Sequence, residues 1–444
     1  MPNKPLKLIA GMVLVLLLIL GITPQIVGLS IEQSTVDSLL NMIPAEARSQ
    51  VKITDQTIES SWFNSTASVS LSISPNIGPV STELLTLQLE FDISHGPLLF
   101  TDQGMEIGLA YAKIRPILDS NMARAALSEA PFELPEITIE LRTGFSQSVE
   151  INLIVDPVSY SDPEAQMSFD GLHASFAAHS NQSAEFRMTT GRFQANIPAS
   201  NVEFDLSGLE LSSTTQQMGD LLAPSSASLR LPSLSSQGAV DVLLTDLIIE
   251  SRIQRSSAGP NQTDLHQSIA IANIESEFPL ASFAWNAEIN EIHDDLFDHY
   301  YQLITDLQTQ IGANPGTINT DINQLSQEIG LILIQNSLVF GNTVEANAYG
   351  GDHSVEMTLA WKGLPDLTEI ARLDINQAID ALDISLKISL DLEAILRSPA
   401  ADFVDPYVQE GYIELDGGKI LLDAFLRDGE LNVNGSFIAI DQFF

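Results

Sequence analysis

Leu85-Thr86-Leu87-Gln88-Leu89-Glu90-Phe91-Asp92-Ile93 is the stretch that decides the fold class of this 444-residue chain. Every second residue is large and apolar, and every intervening one is polar. That is the period of a β-strand with one face buried and the other wet. His95-Gly96-Pro97 ends the run as a turn, because Pro97 fixes φ and Gly96 permits unusual backbone. Met105–Ala112 is expected to return beside the first strand. Alternation recurs outward from here at Ile137–Leu141, Val149–Val155, Met167–Phe176, Ala184–Thr189, Val202–Leu211, Val240–Ile249 and His266–Ile274. It returns at Val355–Trp361, along Leu382 to Leu392, and at Gly411–Leu415, Lys419–Leu426 and Glu430–Ile440. The last three runs are separated by Asp416-Gly417-Gly418 and Asp428-Gly429, and Asp-Gly between alternating runs signals a hairpin.

Three runs share a local pattern: Ser168–Leu172, Glu203–Leu211 and Val242–Glu250 each place an acidic residue or glycine before a leucine. A spacing of roughly 35 to 40 residues is that of repeat units, although any meander of hairpins gives something similar. Ala223–Gly238 and Ser256–Thr263, rich in Ser, Pro, Gly and Gln, read as loops.

The texture changes at Ile289. Ile289, Ile292, Leu296, Tyr300, Leu303, Leu307 and Ile311 stand three or four apart, and after Gly312–Thr317 the same spacing resumes at Ile318, Ile322, Leu325, Ile329 and Ile332. This predicts an amphipathic helical hairpin. Leu296, Tyr300, Leu303, Leu307, Leu325 and Ile329 form an apolar face for the protein's own sheet, for a second copy or for a hydrophobic ligand. Shorter helices are expected at Ser34–Arg48 and Leu392–Arg397.

Leu8–Ile31 is uncharged and mostly apolar, and its ~24 residues are enough to cross a hydrocarbon core. Lys4 and Lys7 precede it and the acidic bulk of the chain follows, so the N-terminus is expected in the cytoplasm and the remainder outside it. Leu8–Leu20 alone has the length of a secretory signal core, but Gly21–Gly28 offers no Ala-x-Ala for cleavage, which favours a retained anchor. The expected organisation is a cytoplasmic tip and anchor over 1–31, a β-rich region over 32–285, the helical hairpin over 286–340 and a C-terminal β region over 341–444. The fold class is thus α+β, predominantly antiparallel β, with one N-terminal transmembrane helix and an inserted helical hairpin.

Composition narrows function. With 58 acidic against 19 basic residues the net charge is −39, which argues against nucleic acid and against lying flat on anionic lipid. The absence of cysteine removes disulfides, Cys-zinc sites and thiol catalysis. His95 before Gly96-Pro97 and near Asp92 is a candidate functional turn, but one histidine with no placed nucleophile is more simply a turn residue. His293-Asp294-Asp295-Leu296-Phe297-Asp298-His299 looks metal-like, since Asp295 and His299 share a helix face. His293 and His299 lie roughly 240° apart on a helix, however, and a structural zinc needs four ligands. No cofactor, metal site or catalytic set is nominated, and no Walker loop, nucleophile elbow, zincin motif or EF-hand is present.

The anchor, Ile93-Ser94-His95-Gly96-Pro97-Leu98 with Gly108-Leu109-Ala110, Trp361-Lys362 after a helical region, Tyr407–Ile413 and Asp428–Gly435 occur in an order that resembles the YdgA-like proteins. These are inner-membrane-anchored periplasmic proteins of Gram-negative bacteria. The resemblance spans nearly the whole chain and implies a periplasmic β-rich body on one transmembrane helix, without an established activity. The leading expectation is a non-catalytic envelope protein that binds or scaffolds, with the inner membrane, a second copy, an envelope protein or a lipid as partners. A lipid- or hydrophobe-handling β-groove is the alternative, similar in outline to the AsmA-like envelope proteins. An envelope-polymer hydrolase, resting on His95 and abundant carboxylates, is the third. If Leu8–Ile31 is retained, N-terminal sequencing of membrane-extracted protein will find the start of the chain; a start at Leu29 contradicts the anchor.

Overall fold

The computed structural model describes residues 51–60, 64–73, 85–95, 98–102, 104–118, 135–146, 148–220, 222–238, 241–296, 299 and 320–438. The expected anchor Leu8–Ile31, the helix Ser34–Arg48 and the Gly312–Thr317 break lie outside them. The fold is mostly antiparallel β, in two compact units that divide between Met218 and Gly219. Among the described residues no helix is long and apolar enough to cross a membrane.

The first unit is a meander of β1 (Val51–Ser60), β2 (Asn64–Ile73), β3 (Leu85–His95), β6 (Ala110–Leu118), β7 (Ile137–Thr143), β8 (Val149–Val155), β11 (Leu172–Ala178), β12 (Ala184–Ile197) and β13 (Val202–Thr215). Each pairs antiparallel with the next. Strand register sets Ala67, Phe91, Ile114, Ile139, Leu153, Ala174, Met188 and Leu211 side by side across the sheet. Much of this face is buried: Ile139, Val149, Ile151, Leu153, Val155 and Ala174 are covered, Phe169, Leu172, Phe176 and Phe186 pack against them, and Ile114, Met188 and Leu211 are partly buried.

The strand at Leu85–Ile93 is β3, and its expected return over Met105–Ala112 is corrected in part: Ala110–Ala112 do pair beside it, but Met105–Ile107 do not. Residues 98–107 form a separate hairpin, β4 (Leu98–Thr101) and β5 (Gly104–Ile107), and the strand beside β3 is β6. Gly108 allows this detour. A Cβ there would stand 2.7 Å from Leu99 Cδ1 and 3.2 Å from the Thr143 carbonyl, so any side chain would make Leu99 and the backbone at Thr143 give way.

A crease crosses this sheet. β9 (Val158–Ser161) and β10 (Gln166–Phe169) continue the register of β8 and β11, and the ladder lapses at Asp156-Pro157 and Asp170-Gly171. On the neighbouring strands it lapses again opposite each other at Gly191 and Gly208. Gly171 and Gly208 have φ of 96° and 82°. A Cβ on Gly191 would meet Asp170 Cβ at 2.5 Å. In the second unit the same lapse falls at Pro232, Asp246 and Ala272, with φ of 53° at Asp246. The shared Gly-Leu or Asp-Leu pattern therefore marks the positive-φ residue of each crease.

The second unit continues with β14 (Ser225–Gln237), β15 (Val242–Arg255), β16 (Gln262–Ser276), β17 (Leu280–His293), β18 (Leu338–Ala348), β19 (Gly351–Trp361), β20 (Leu382–Asp391) and β22 (Lys419–Arg427), again paired in succession. The free edge of β22 takes β21 (Glu414–Asp416) at one end and β23 (Glu430–Val433) at the other, and β24 (Ser436–Ile438) follows β23. Ala223–Gly238, expected as a loop, is mostly β14, because its serines alternate with Leu229 and Leu231 and are small enough to share a pleated face. Glu430–Ile440 is two short strands, since Asn434 and Gly435 take φ of 49° and 80° as a tight turn.

The helical hairpin is corrected at its start. Ile289–His293 completes β17, and helical backbone begins at Asp294. The three-residue spacing of Ile289 and Ile292 comes from a β-bulge. Leu265 faces Ile289, Thr263 faces Ile292, and Glu291 (φ 64°) absorbs the extra residue. Asp294 is fixed there by Thr263 Oγ1 at 2.9 Å and Arg255 Nη1 at 2.5 Å. The second helix is α1 (Thr320–Gln335). Further on come α2 (Ile375–Asp380), α3 (Leu392–Leu396), which begins where Asp391 accepts from Ala394 N, and α4 (Ala401–Gln409), which the sequence reading lacks.

The crease yields a stability prediction. Gly191→Val should lower urea stability by about 2–4 kcal/mol, because the Asp170 backbone cannot retreat. Gly341→Ala, whose Cβ would meet only Glu288 Cβ at 3.7 Å, should change it by less than ~1 kcal/mol. Equal effects would refute the crease as a close-packed feature.

Candidate functional site

The nominated turn is placed by its backbone. His95 ends β3 opposite Ala110, while Gly96 and Pro97 lie outside the described residues. Of the nominated helical face, Leu296 and Ile329 are half-buried, Leu325 is carried on α1, and Tyr300, Leu303 and Leu307 lie outside the described residues. The C-terminal end of α1 is tied to the end of β19 and to the loop that follows it. Its Ile334 carbonyl accepts from Leu364 N at 2.8 Å and from Trp361 Nε1 at 3.0 Å, and Gln335 Nε2 donates to Leu367 O. The metal-like run is a local arrangement: His299 Nδ1 lies 2.7 Å from the Asp295 carbonyl, and His293 Nδ1 is 3.6 Å from Asp295 Oδ2. Among the described residues no group of three histidines or acids converges as metal ligands.

A buried polar cluster lies beneath the β4–β5 hairpin. Tyr111 and Glu140 are 4% and 6% exposed. Tyr111 Oη donates to Glu140 Oε1 at 3.2 Å, and Arg142 lies over the Tyr111 ring at 5.8 Å. Arg142 reaches Glu106 of the hairpin at 3.1 Å and Glu140 at 3.8 Å, while Lys113 pairs with Asp102 at the hairpin tip. Burial first, then the Glu140 charge, pushes the Tyr111 hydroxyl well above the ordinary tyrosine range. Every acid here has a cation or a donor, so the cluster holds the hairpin down and presents no reacting group.

The broadest unexplained surface belongs to the second unit. Register lines up Leu229, Ile249, Ile269, Trp285, Val344, Val355, Ile388 and Leu422 across β14 to β22. Four residues along each strand, on the same face, stand Ile253, Leu265, Ile289, Phe340, Leu359, Ile384 and Leu426, continued by Leu431 and Ile438. None of these side chains is fully buried; Ile249 is 37% exposed and the rest are half-buried. Between the two rows run Ser251, Gln267, Ala287 and Asn342, then Met357, Leu386 and Ala424. Trp285 Nε1 donates to Asn342 Oδ1 at 2.9 Å, fixing the indole within this face. At the crease end His353 is structural: Asp391 N donates to its Nδ1 at 3.3 Å, so its Nε2 donates to Ala348 O at 3.0 Å.

The opposite face of the same strands is polar. Ser228, Glu250, Ser268, Asn286, Thr343, Glu356, Lys387 and Asp423 form one row. Ser354 and Ser389 line two open concavities of about 460 and 520 Å³, the smaller also touching Glu356 and Lys387. The alternation of β15, β16, β19, β20 and β22 was legible in the sequence. Its consequence, one continuous apolar band with no second layer among the described residues, needed the register.

The geometry defines a mostly antiparallel β protein with an extended apolar sheet face in its second unit. The family described as "Bacterial protein of unknown function (DUF945)" matches residues 3–441, and the chain belongs to that family. No curated protein and no solved structure matches it.

The buried cluster sets an alkaline limit. Tyr111 keeps its proton in the folded state above the pH at which an unfolded tyrosine ionises, so its contribution is intact below about pH 10 and is lost as pH rises beyond it. Melting temperature should fall more steeply above pH 10 in the natural chain than in Tyr111→Phe. Parallel slopes would remove Tyr111 from the account.

Proposed function

We propose that this chain is a non-catalytic envelope protein whose Gly219–Phe444 unit carries a long-chain acyl lipid along its apolar sheet face. The partly buried band from Leu229 to Leu422 carries this reading. At ~4.8 Å between strands the band runs roughly 34 Å, longer than a compact metabolite needs, whereas each leaflet's acyl chains span about 15 Å. Covering each ~100 Å² of such surface contributes about 2.5 kcal/mol before association costs. The step Ser251-Gln267-Asn342 supplies the few polar groups that orient a largely apolar ligand.

The same reading anchors the protein in the bacterial inner membrane through Leu8–Ile31, N-terminus in the cytoplasm and bulk in the periplasm. It also keeps the finer kinship to the YdgA-like proteins, supported by the motifs Ile93–Leu98, Gly108–Ala110 and Asp428–Gly435. The helical hairpin carrying Leu296, Leu325 and Ile329 is the element suited to contact a second copy or another envelope protein.

Binding is tested by quenching of tryptophan fluorescence with brominated fatty acids. The full chain should be quenched saturably, and Trp285→Phe should lose most of the effect. Ile249→Asp places a charge at the most exposed point of the band and should weaken binding at least about tenfold while leaving the fold intact. Ser268→Asp, on the polar face, should bind as the natural chain does. Equal binding by both aspartate variants would sink the assignment.

A further inference from the structure

The β4–β5 hairpin is built with its faces in the opposite sense from a covering element in water. Its inner face carries Leu99, 2% exposed, together with Thr101 and Glu106. Its outer face carries Leu98, Phe100, Met105 and Ile107, which are 47, 60, 67 and 76% exposed. The ladder pairs Leu98 with Ile107 and Phe100 with Met105, so the four form one contiguous patch. Both acids of the hairpin pair with cations: Glu106 on the inner face with Arg142, and Asp102, 59% exposed at the tip, with Lys113. The face formed by these four residues therefore carries no charge, and the one exposed carboxylate at its tip is paired, on a chain whose net charge is −39.

We propose that this hairpin inserts its outer face into the surface of a phospholipid bilayer. At ~200 Å² for each fully exposed side chain the patch offers roughly 500 Å², at the upper end of what a soluble monomer exposes. That is short of the ~800 Å² per partner that a stable protein interface needs, so a second copy would find too little to hold. A shallow apolar insertion faces no such threshold, because the hydrocarbon boundary accepts any exposed apolar face. Position agrees. The described chain begins at Val51, about 20 residues beyond the apolar run that ends at Ile31, so the first unit lies within at most ~70 Å of the membrane on the anchored reading. The seat is rigid. Leu109 N donates to Thr143 O at 2.8 Å, Ser94 Oγ donates to Phe100 O at 3.3 Å, and Gly108 permits the close approach of Leu99. Only proximity rests on the anchored reading; the apolar, uncharged face stands without it.

Because the chain has no cysteine, a single introduced one takes a nitroxide uniquely. Full-length Met105→Cys, labelled and mixed with phosphatidylcholine liposomes, should report a depth ~5–10 Å below the phosphates. A label at Gln166→Cys, exposed elsewhere in the unit, should stay in water. Adding Phe100→Glu and Ile107→Glu to the Met105→Cys chain should return its label to water with an unchanged circular dichroism spectrum. A Met105 label that remains aqueous overturns the proposal, as does a short spin–spin distance between two copies without depth. Flotation of the same sample reads the anchor separately: a chain that floats with an aqueous label fails the hairpin alone, and one that fails to float by Leu8–Ile31 still reports the hairpin through its label depth.

Discussion

A β-sheet with one apolar face has to set that face against something, since wet apolar surface costs about 25 cal/mol per Å². Both units meet this constraint with the same kind of sequence and resolve it differently. In the first, the band through Ile139, Leu153 and Ala174 is closed by side chains of its own strands, and Val149, Ile151 and Val155 are almost dry. In the second, a band of the same design from Leu229 to Leu422 is only partly buried on every strand. Filled packing supports a scaffold, and an unfilled band supports a ligand. The proposal that this protein carries an acyl chain grows from that contrast within one chain.

The creases and the hairpin show how such sheets are shaped locally. Gly171, Gly191 and Gly208 sit opposite one another where the ladder lapses, and Asp246 repeats the device in the second unit at a modest cost in backbone strain. At β4–β5 the constraint is reversed. A buried tyrosine, a buried glutamate and an arginine tie down the inner face, and the apolar residues are left outside. Paired polar groups rigidify a structure, and here the contacts of Tyr111, Glu140 and Arg142 hold an otherwise unfavourable surface in place.

Much of this was legible in the sequence, because strict alternation survives without tertiary context. Leu85–Ile93, Val149–Val155, Leu382–Leu390 and the Asp-Gly turns were readable from period and turn chemistry. The rest failed for physical reasons. Asn64–Ile73 and Ser225–Gln237 are strands whose small serines hide the pattern, and their β form is imposed by neighbours. Ile289 and Ile292 mimic a helix because a bulge brings residues three apart into one ladder. The β4–β5 excursion looked like a returning strand because its alternation is that of any strand; Gly108 was the signal for its close seat. Of the candidate surfaces, His95 and the helical face were named from local chemistry. The apolar band could not be, since it exists only once register has aligned residues far apart in sequence.

The central claim concerns what occupies that band, and native mass spectrometry of the full-length protein extracted in mild detergent tests it most directly. The account predicts a retained adduct with the mass of an acyl lipid, one per chain, that survives detergent removal and is depleted in Ile249→Asp. A bare chain mass throughout, or an adduct undiminished by that substitution, would contradict it.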